Sequence, residues 1–167
     1  MLTLLYPSSP KASRQDLGKA ISVMAWIEDG SGNVLLVRQM NRKRLWTLPG
    51  GKVHPQEAIH LGLKRELVEE IGEGIKSAHI VDIFDRPEKN ALCILFQTIL
   101  KGGRLKLGKE EIEAALFTNR LPPDATPSLI YFWQRHFRRG QWGRKMNRLE
   151  ARSDADAPIS GLRATRR

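Results

Sequence analysis

The chain has 167 residues, 41% of them hydrophobic, a formal charge of +10 and a single cysteine. That length suits one domain with a real core. The lone Cys93 excludes an intramolecular disulfide, and no apolar run approaches the ~18 residues of a membrane span.

The charge is uneven. From Tyr131 onward there are ten Lys/Arg against three Asp/Glu, so +7 of the +10 lies there and the body is nearly balanced. Residues 1–18, with Pro7 and Pro10, read as an extended leader. Met1–Tyr6 has no basic start and too short an apolar run for a signal peptide, so a soluble cytoplasmic protein is expected.

Ala20–Ile27 is apolar and β-branched, a strand. Asp29-Gly30-Ser31-Gly32-Asn33 is a turn, and Val34–Val37 is the returning strand. Arg38–Arg44 is polar and basic: either a solvated loop or a loop facing substrate phosphates through Arg38 and Arg44. Trp46 reads first as core, with a base-stacking surface as the alternative. Pro49-Gly50-Gly51 combines a fixed φ with two positions open to positive φ and close backbone approach.

After a loop from Gly51 to Glu57, a helix is expected over Ala58–Ile71, stopped by Gly72. On it Glu66, Glu69 and Glu70 are i, i+3 and i+4 neighbours, so three carboxylates crowd one face. Leu61, Leu63, Leu67, Val68 and Ile71 form the stripe expected to face the core, which turns the acidic face toward solvent or a cleft. Like charges at this spacing repel, and a bound divalent cation relieves them. Hard oxygen ligands suit Mg²⁺ or Mn²⁺. Gly62, on the acidic side, leaves room for a close approach by substrate or metal.

Further strands are expected over Lys76–Phe84, Ala91–Leu100 and Glu110–Phe117, with the polar turn Asp85–Asn90 between the first two. The run Leu92–Phe96 is apolar throughout and so central, covered on both faces. A second helix over Pro127–Arg139 has Thr126 as its cap and a broad apolar face. His136 reads as packed or exposed rather than catalytic. Residues 140–167 form a basic tail, a solvated appendage or an extra docked helix.

The stretch Gly51, Glu57, Arg65-Glu66, Glu69-Glu70 and Gly72, at these spacings, resembles the Nudix box of the Nudix hydrolases. Glu73 departs from the pattern, since that position is usually aliphatic, which bears on packing more than on chemistry. The resemblance implies an α/β/α sandwich spanning residues 19–139, with a mixed β-sheet between helices. It implies Mg²⁺ on Glu66, Glu69 and Glu70, joined by a backbone carbonyl near Gly50, and Glu57 bracing the loop through Arg65. A carboxylate from the late region approaches the site in this family, with Glu110, Glu111 and Glu113 as candidates. The implied substrate is a nucleoside diphosphate linked to another moiety, which Arg38, Arg44, Trp46 and Glu113 are candidates to contact. RNA carrying a 5′ diphosphate is the alternative that would use the basic tail. A non-catalytic binding protein is a third reading, against which the intact glutamates argue. Oligomeric state is not readable from the sequence.

Overall fold

The computed structural model describes residues 18–41 and 43–137. Its layers follow from strand alternation. In β1 (Ala20–Trp26) Val23 and Ala25 enter one core cluster, while Met24 and Trp26 pack in another. In β2 (Val34–Gln39) Leu35 and Val37 take the first side, Val34 and Leu36 the second. A two-residue β3 (Trp46–Thr47) follows, and α1 (Ile59–Ile71) closes the first side with Leu63, Leu67 and Ile71. Then come β4 (Ile75–Arg86), β5 (Ala91–Leu100) and β6 (Ile112–Thr118). Finally α2 (Pro127–His136) closes the second side with Leu129, Phe132 and Trp133. The result is the α/β/α sandwich that the resemblance implies.

The β layer is divided. One sheet, in the order β1-β5-β4, is mixed: β1 runs parallel to β5 and β4 antiparallel to it. The other, β3-β2-β6, is antiparallel. As the sequence predicts, β5 is central and covered on both faces: Ile94 and Phe96 meet the α1 cluster, Cys93 and Leu95 the α2 cluster. The strip Pro49–Val53 runs along the other edge of β1. Ala25 N donates to Pro49 O (2.8 Å), Val23 N to Gly51 O (2.9 Å) and Val53 N to Ile21 O (2.9 Å). This strip carries the two glycines to α1.

Several boundaries differ from the sequence expectation. Ala58 is extended, with ψ 138°, and precedes the helix rather than opening it. Strand β4 continues to Arg86, and the turn shrinks to a 3₁₀ segment, Pro87–Lys89. Glu110 and Glu111 lie in a turn ahead of β6. Gly72 caps α1 at φ 69°, and Thr126 Oγ1 accepts from Leu129 N at the start of α2, both where expected. The leader to residue 17, the tail and the end of the second expected helix lie outside the described residues.

The largest correction concerns the roll of α1. Leu61 and Val68, expected in the core stripe, are each 50% exposed, whereas Glu66 and Glu70 are 9% and 4% exposed. The buried arc therefore runs from Gly62 through Glu66 and Glu70 to Leu63, Leu67 and Ile71. Two polar strips hold the helix in this roll. Gly50 N donates to Glu70 Oε2 (2.7 Å) on one side. Gly108 N and Lys106 N donate to the carbonyls of Glu70 and Ile71 (3.0 and 2.8 Å) at the helix end. Buried carboxylates need such partners, and a wheel built on hydropathy alone assigns them to solvent.

Candidate active site

The site is organised by Arg65. Its Nε donates to Glu57 Oε1 and its Nη2 to Glu57 Oε2, each at 2.9 Å, a bidentate pair. Nη2 also donates to Lys52 O at 2.9 Å. Nη1 reaches Glu66 Oε1 at 2.8 Å and Glu69 Oε2 at 3.1 Å. All five N–H donors of the guanidinium therefore have an acceptor. Glu57 also accepts from His54 N (2.9 Å), which closes the loop on itself. The Arg65 hydrogen bonds, then the His54 amide, pull the Glu57 carboxyl down to about 2. Arg65 is correspondingly held charged, mainly by Glu57.

Glycines shape the space around these groups. A Cβ at Gly51 would lie 2.5 Å from the Glu66 carboxylate. At Gly62 it would meet Glu57 Oε2 at 3.1 Å and Val53 Cγ2 at 3.2 Å. Gly62 thus makes room for the loop carboxylate and Val53, not for substrate or metal as the sequence suggests.

Glu70 is the most enclosed of the carboxylates. Burial pushes its carboxyl up to about 8, against the pull of the Gly50 amide, with the charges of Glu66, Glu111 and Glu69 adding to the rise. Burial also raises Glu66, opposed by Arg65 and helped by Glu69 and Glu111. The charge of Glu111 thus bears on both buried carboxylates, which distinguishes it among the three late candidates. It is exposed, and its backbone is fixed at both ends: Glu111 N donates to Gly108 O (3.3 Å) and Met40 N to Glu111 O (2.8 Å). Sequence spacing could not choose Glu111, because a turn residue has no period that aims its side chain.

Among the described residues no three His, Cys, Asp or Glu side chains converge closely enough to hold a metal ion as they stand. The cause is visible in the contacts: Glu66 and Glu69 are turned to Arg65, and Glu70 to the Gly50 amide. Among the described residues the Gly50 carbonyl accepts no backbone hydrogen bond, whereas Pro49 O and Gly51 O accept from β1.

Arg38, Arg44, Trp46 and Glu113 form a second cluster. Arg44 grips Glu113 through Nε (3.0 Å) and Nη2 (2.7 Å). Arg38 lies over the Trp46 ring at 5.8 Å, donates to Arg44 O at 3.0 Å and pairs with Asp124 at 3.3 Å. Arg38 and Trp46 are register partners, and Trp46 packs against the α2-side cluster. Val37, one residue earlier, faces α1. The four are brought together on the sheet face opposite α1, with their charges already paired. Asp124 was not singled out from sequence; its signal, an acidic residue between prolines and a capped helix, is too common to select it.

A box of carboxylates on a glycine-lined helix edge, saturated by one arginine and set in an α/β/α sandwich, defines a class of phosphate-handling hydrolases. A family model described as NUDIX domain matches residues 18–141, and the chain belongs to this family. An ADP-ribose pyrophosphatase of Methanocaldococcus jannaschii is 31% identical over 119 residues, covering 67% of this chain and 70% of that protein. A CTP pyrophosphohydrolase of Escherichia coli is 42% identical over 57 residues, 32% of this chain and 42% of that one. The crystal structure of a MutT NUDIX hydrolase from Burkholderia pseudomallei superposes with a TM-score of 0.63 at 22% identity. It covers 72% of this chain and 99% of that chain, a likeness of fold. No helix among the described residues is long and apolar enough to cross a membrane.

The Arg65 geometry makes a first prediction. A lysine has one compact ammonium with three donors and cannot bridge Glu57, Glu66, Glu69 and Lys52 O together. Arg65→Lys is expected to lower turnover about 10- to 100-fold, the usual size of losing a group that orients ligands, while circular dichroism stays native. A purified variant with unchanged kinetics would show that the brace is dispensable.

Proposed function

We propose that this protein is a Mg²⁺-dependent hydrolase that cleaves a diphosphate linkage in a nucleotide, with Mn²⁺ as a substitute ion. The observation that carries this reading is the set of three carboxylates, Glu66, Glu69 and Glu70, on one edge of α1, with Glu111 in the turn ahead of β6 near enough for its charge to bear on Glu66 and Glu70. The donor set fits a hard divalent cation. Its oxygens are carboxylates, burial disfavours the ionised form of Glu70 in the absence of a cation, and the Gly50 carbonyl accepts no backbone hydrogen bond among the described residues. Glu66, Glu69 and Glu70 would hold the ion once Glu66 and Glu69 turn from Arg65. Bound there, it supplies neutralising charge to the phosphate oxygens.

The chain's own groups do the rest. Glu57 and Arg65 fix the loop that carries Gly50 and Gly51. Glu111, exposed and not engaged by Arg65, takes the proton from the attacking water. That water adds across the P–O–P bridge, so one phosphorus gains its oxygen, the other keeps the bridging oxygen, and both products end in phosphate. Cys93, buried and unpaired, agrees with a reducing cytoplasmic setting.

The test is a panel containing ADP-ribose, CTP and other nucleoside di- and triphosphate derivatives, with Mg²⁺ or Mn²⁺ and products identified by phosphorus NMR. Turnover that EDTA abolishes is expected. Hydrolysis that continues at full rate in EDTA would defeat the metal assignment, and a silent panel the hydrolase reading.

A further inference from the structure

Glu111 and the box glutamates come from different segments, and one residue joins them. The last carbonyls of a helix have no partner inside it and need outside donors. At the end of α1 two donors come from the connection between β5 and β6: Lys106 N donates to Ile71 O (2.8 Å) and Gly108 N to Glu70 O (3.0 Å). Leu105 and Leu107 of the same connection pack in the α1-side core. At Gly108 the two backbones are in contact. A Cβ there would lie 2.3 Å from Glu69 O and 3.7 Å from Glu70 Cα. The φ of Gly108 is not positive, so space rather than conformation requires glycine.

Gly108 is also bound on its other side. Its carbonyl accepts from Glu111 N (3.3 Å) and from Ile112 N (2.9 Å), which closes the turn over Lys109–Glu111. Glu111 O accepts from Met40 N (2.8 Å), just past β2, and Ile112 is buried in the α1-side core. A helix cap uses only the Gly108 amide. Here the carbonyl of the same residue holds the turn, so any shift of Gly108 against α1 is passed on to Glu111. The chemistry is sensitive to such a shift. A proton acceptor works within hydrogen-bond reach of the attacking water, and a displacement of about 1 Å can cost about 10²-fold.

Resting on the hydrolase reading above, we infer that Gly108 is a positioning residue of the reaction: it locks the turn that carries Glu111 onto the α1 backbone at Glu69 and Glu70, so that the proton acceptor and the box glutamates keep one fixed spacing. Its missing side chain sets that spacing. Glu69 O is helix backbone and cannot rotate away, so an alanine at 108 pushes the turn outward and takes Glu111 with it.

The experiment measures kcat, KM, calorimetric Mg²⁺ binding and melting temperature for Gly108→Ala, Glu111→Gln, the double variant and Gly103→Ala, on the panel substrate that the wild type turns over. Gly103→Ala is the control: it lies in the same connection, but its added atom meets the end of the Glu73 side chain, which can rotate. Gly108→Ala is expected to lower kcat about 30- to 100-fold, with KM and the Mg²⁺ dissociation constant within about threefold and the melting temperature lower by about 5–15 °C. Glu111→Gln should lose about 10²–10³ in kcat. Adding Gly108→Ala to it should then cost less than about threefold more, because the carboxylate being positioned is already gone. Gly103→Ala should keep kcat within about twofold. One glycine inserted between Lys109 and Glu110 moves Glu111 while leaving the contact of Gly108 with α1 intact, and it should reproduce the kcat loss even if Gly108→Ala does not fold. Losses that multiply in the double variant would overturn the inference, and so would a Gly108→Ala loss carried by KM or Mg²⁺ binding, an equal loss in Gly103→Ala, or an insertion variant with wild-type kcat. In each of these cases the hydrolase reading stands. A wild type inactive on the whole panel removes that reading and this inference with it.

Discussion

Glu70→Gln should cut turnover by about 10²–10³, the usual loss when one electrostatic contact to a transition state is removed, and yet make the metal-free protein more stable at pH 8. The two effects share one cause. Glu70 is buried, and its carboxyl titrates at about 8 instead of at its ordinary 4.5. A raised carboxyl binds its proton more tightly folded than unfolded. In EDTA, folded stability should therefore fall as pH rises from about 4.5 toward 8, by on the order of 4 kcal/mol at most. Glutamine removes that titration and keeps the shape, so the variant's melting temperature should vary less over this range. Added Mg²⁺ should stabilise the wild type more at pH 8 than at pH 5, because the ion replaces the proton. Melting curves from pH 4.5 to 8.5, with EDTA or Mg²⁺, together with kcat, decide the matter. A wild-type profile that rises with pH in EDTA would contradict the burial of this charge.

That burial marks where the sequence stops being legible. The spacing of Glu66, Glu69 and Glu70 showed which side chains share an edge, and the alternation in β1, β2 and β5 showed a sheet covered on both faces. Hydropathy then rolled the helix the wrong way: it placed Val68 and Leu61 inside and Glu70 outside. The deciding interactions are three backbone amides, Gly50, Lys106 and Gly108, that come from distant segments and leave no side-chain signal. Glu111 escaped for the same reason. Its neighbour Glu110 has the same charge, and only the fold of the turn separates them. Arg38 and Arg44 were found as a basic pair, but their partners Asp124 and Glu113 lie 86 and 69 residues away in the chain, so their neutralisation could not be read locally. The division of the β layer into two sheets was equally hidden, because strand order depends on pairings that hydropathy does not rank.

Gly50 and Gly51 should fail in opposite ways when each is replaced by alanine. Gly50 has φ 133°, a conformation that side-chain-bearing residues avoid, and a Cβ there would sit 2.1 Å from Val23 O and 2.9 Å from Met24 Cα. Both obstacles are backbone of β1, held by β5 on one side and by the Pro49–Val53 strip on the other, and neither can swing aside. Backbone strain of about 1–3 kcal/mol and overpacking of a similar size together predict a loss of about 2–6 kcal/mol, or a melting temperature lower by roughly 10–20 °C. At Gly51 the obstacle is the Glu66 carboxylate, 2.5 Å from the added atom, and its φ is ordinary. A side-chain end can rotate, so Gly51→Ala should melt within about 5 °C of the wild type. Its cost falls on chemistry, since the displaced carboxylate is one of the box glutamates: turnover should drop at least about tenfold, with weaker Mg²⁺ binding. Thermal melts and Mg²⁺ titrations of both variants separate the two expectations. A Gly50→Ala protein as stable as the wild type would show that β1 yields where the sheet says it cannot. A Gly51→Ala enzyme with full turnover would show that Glu66 has room to spare.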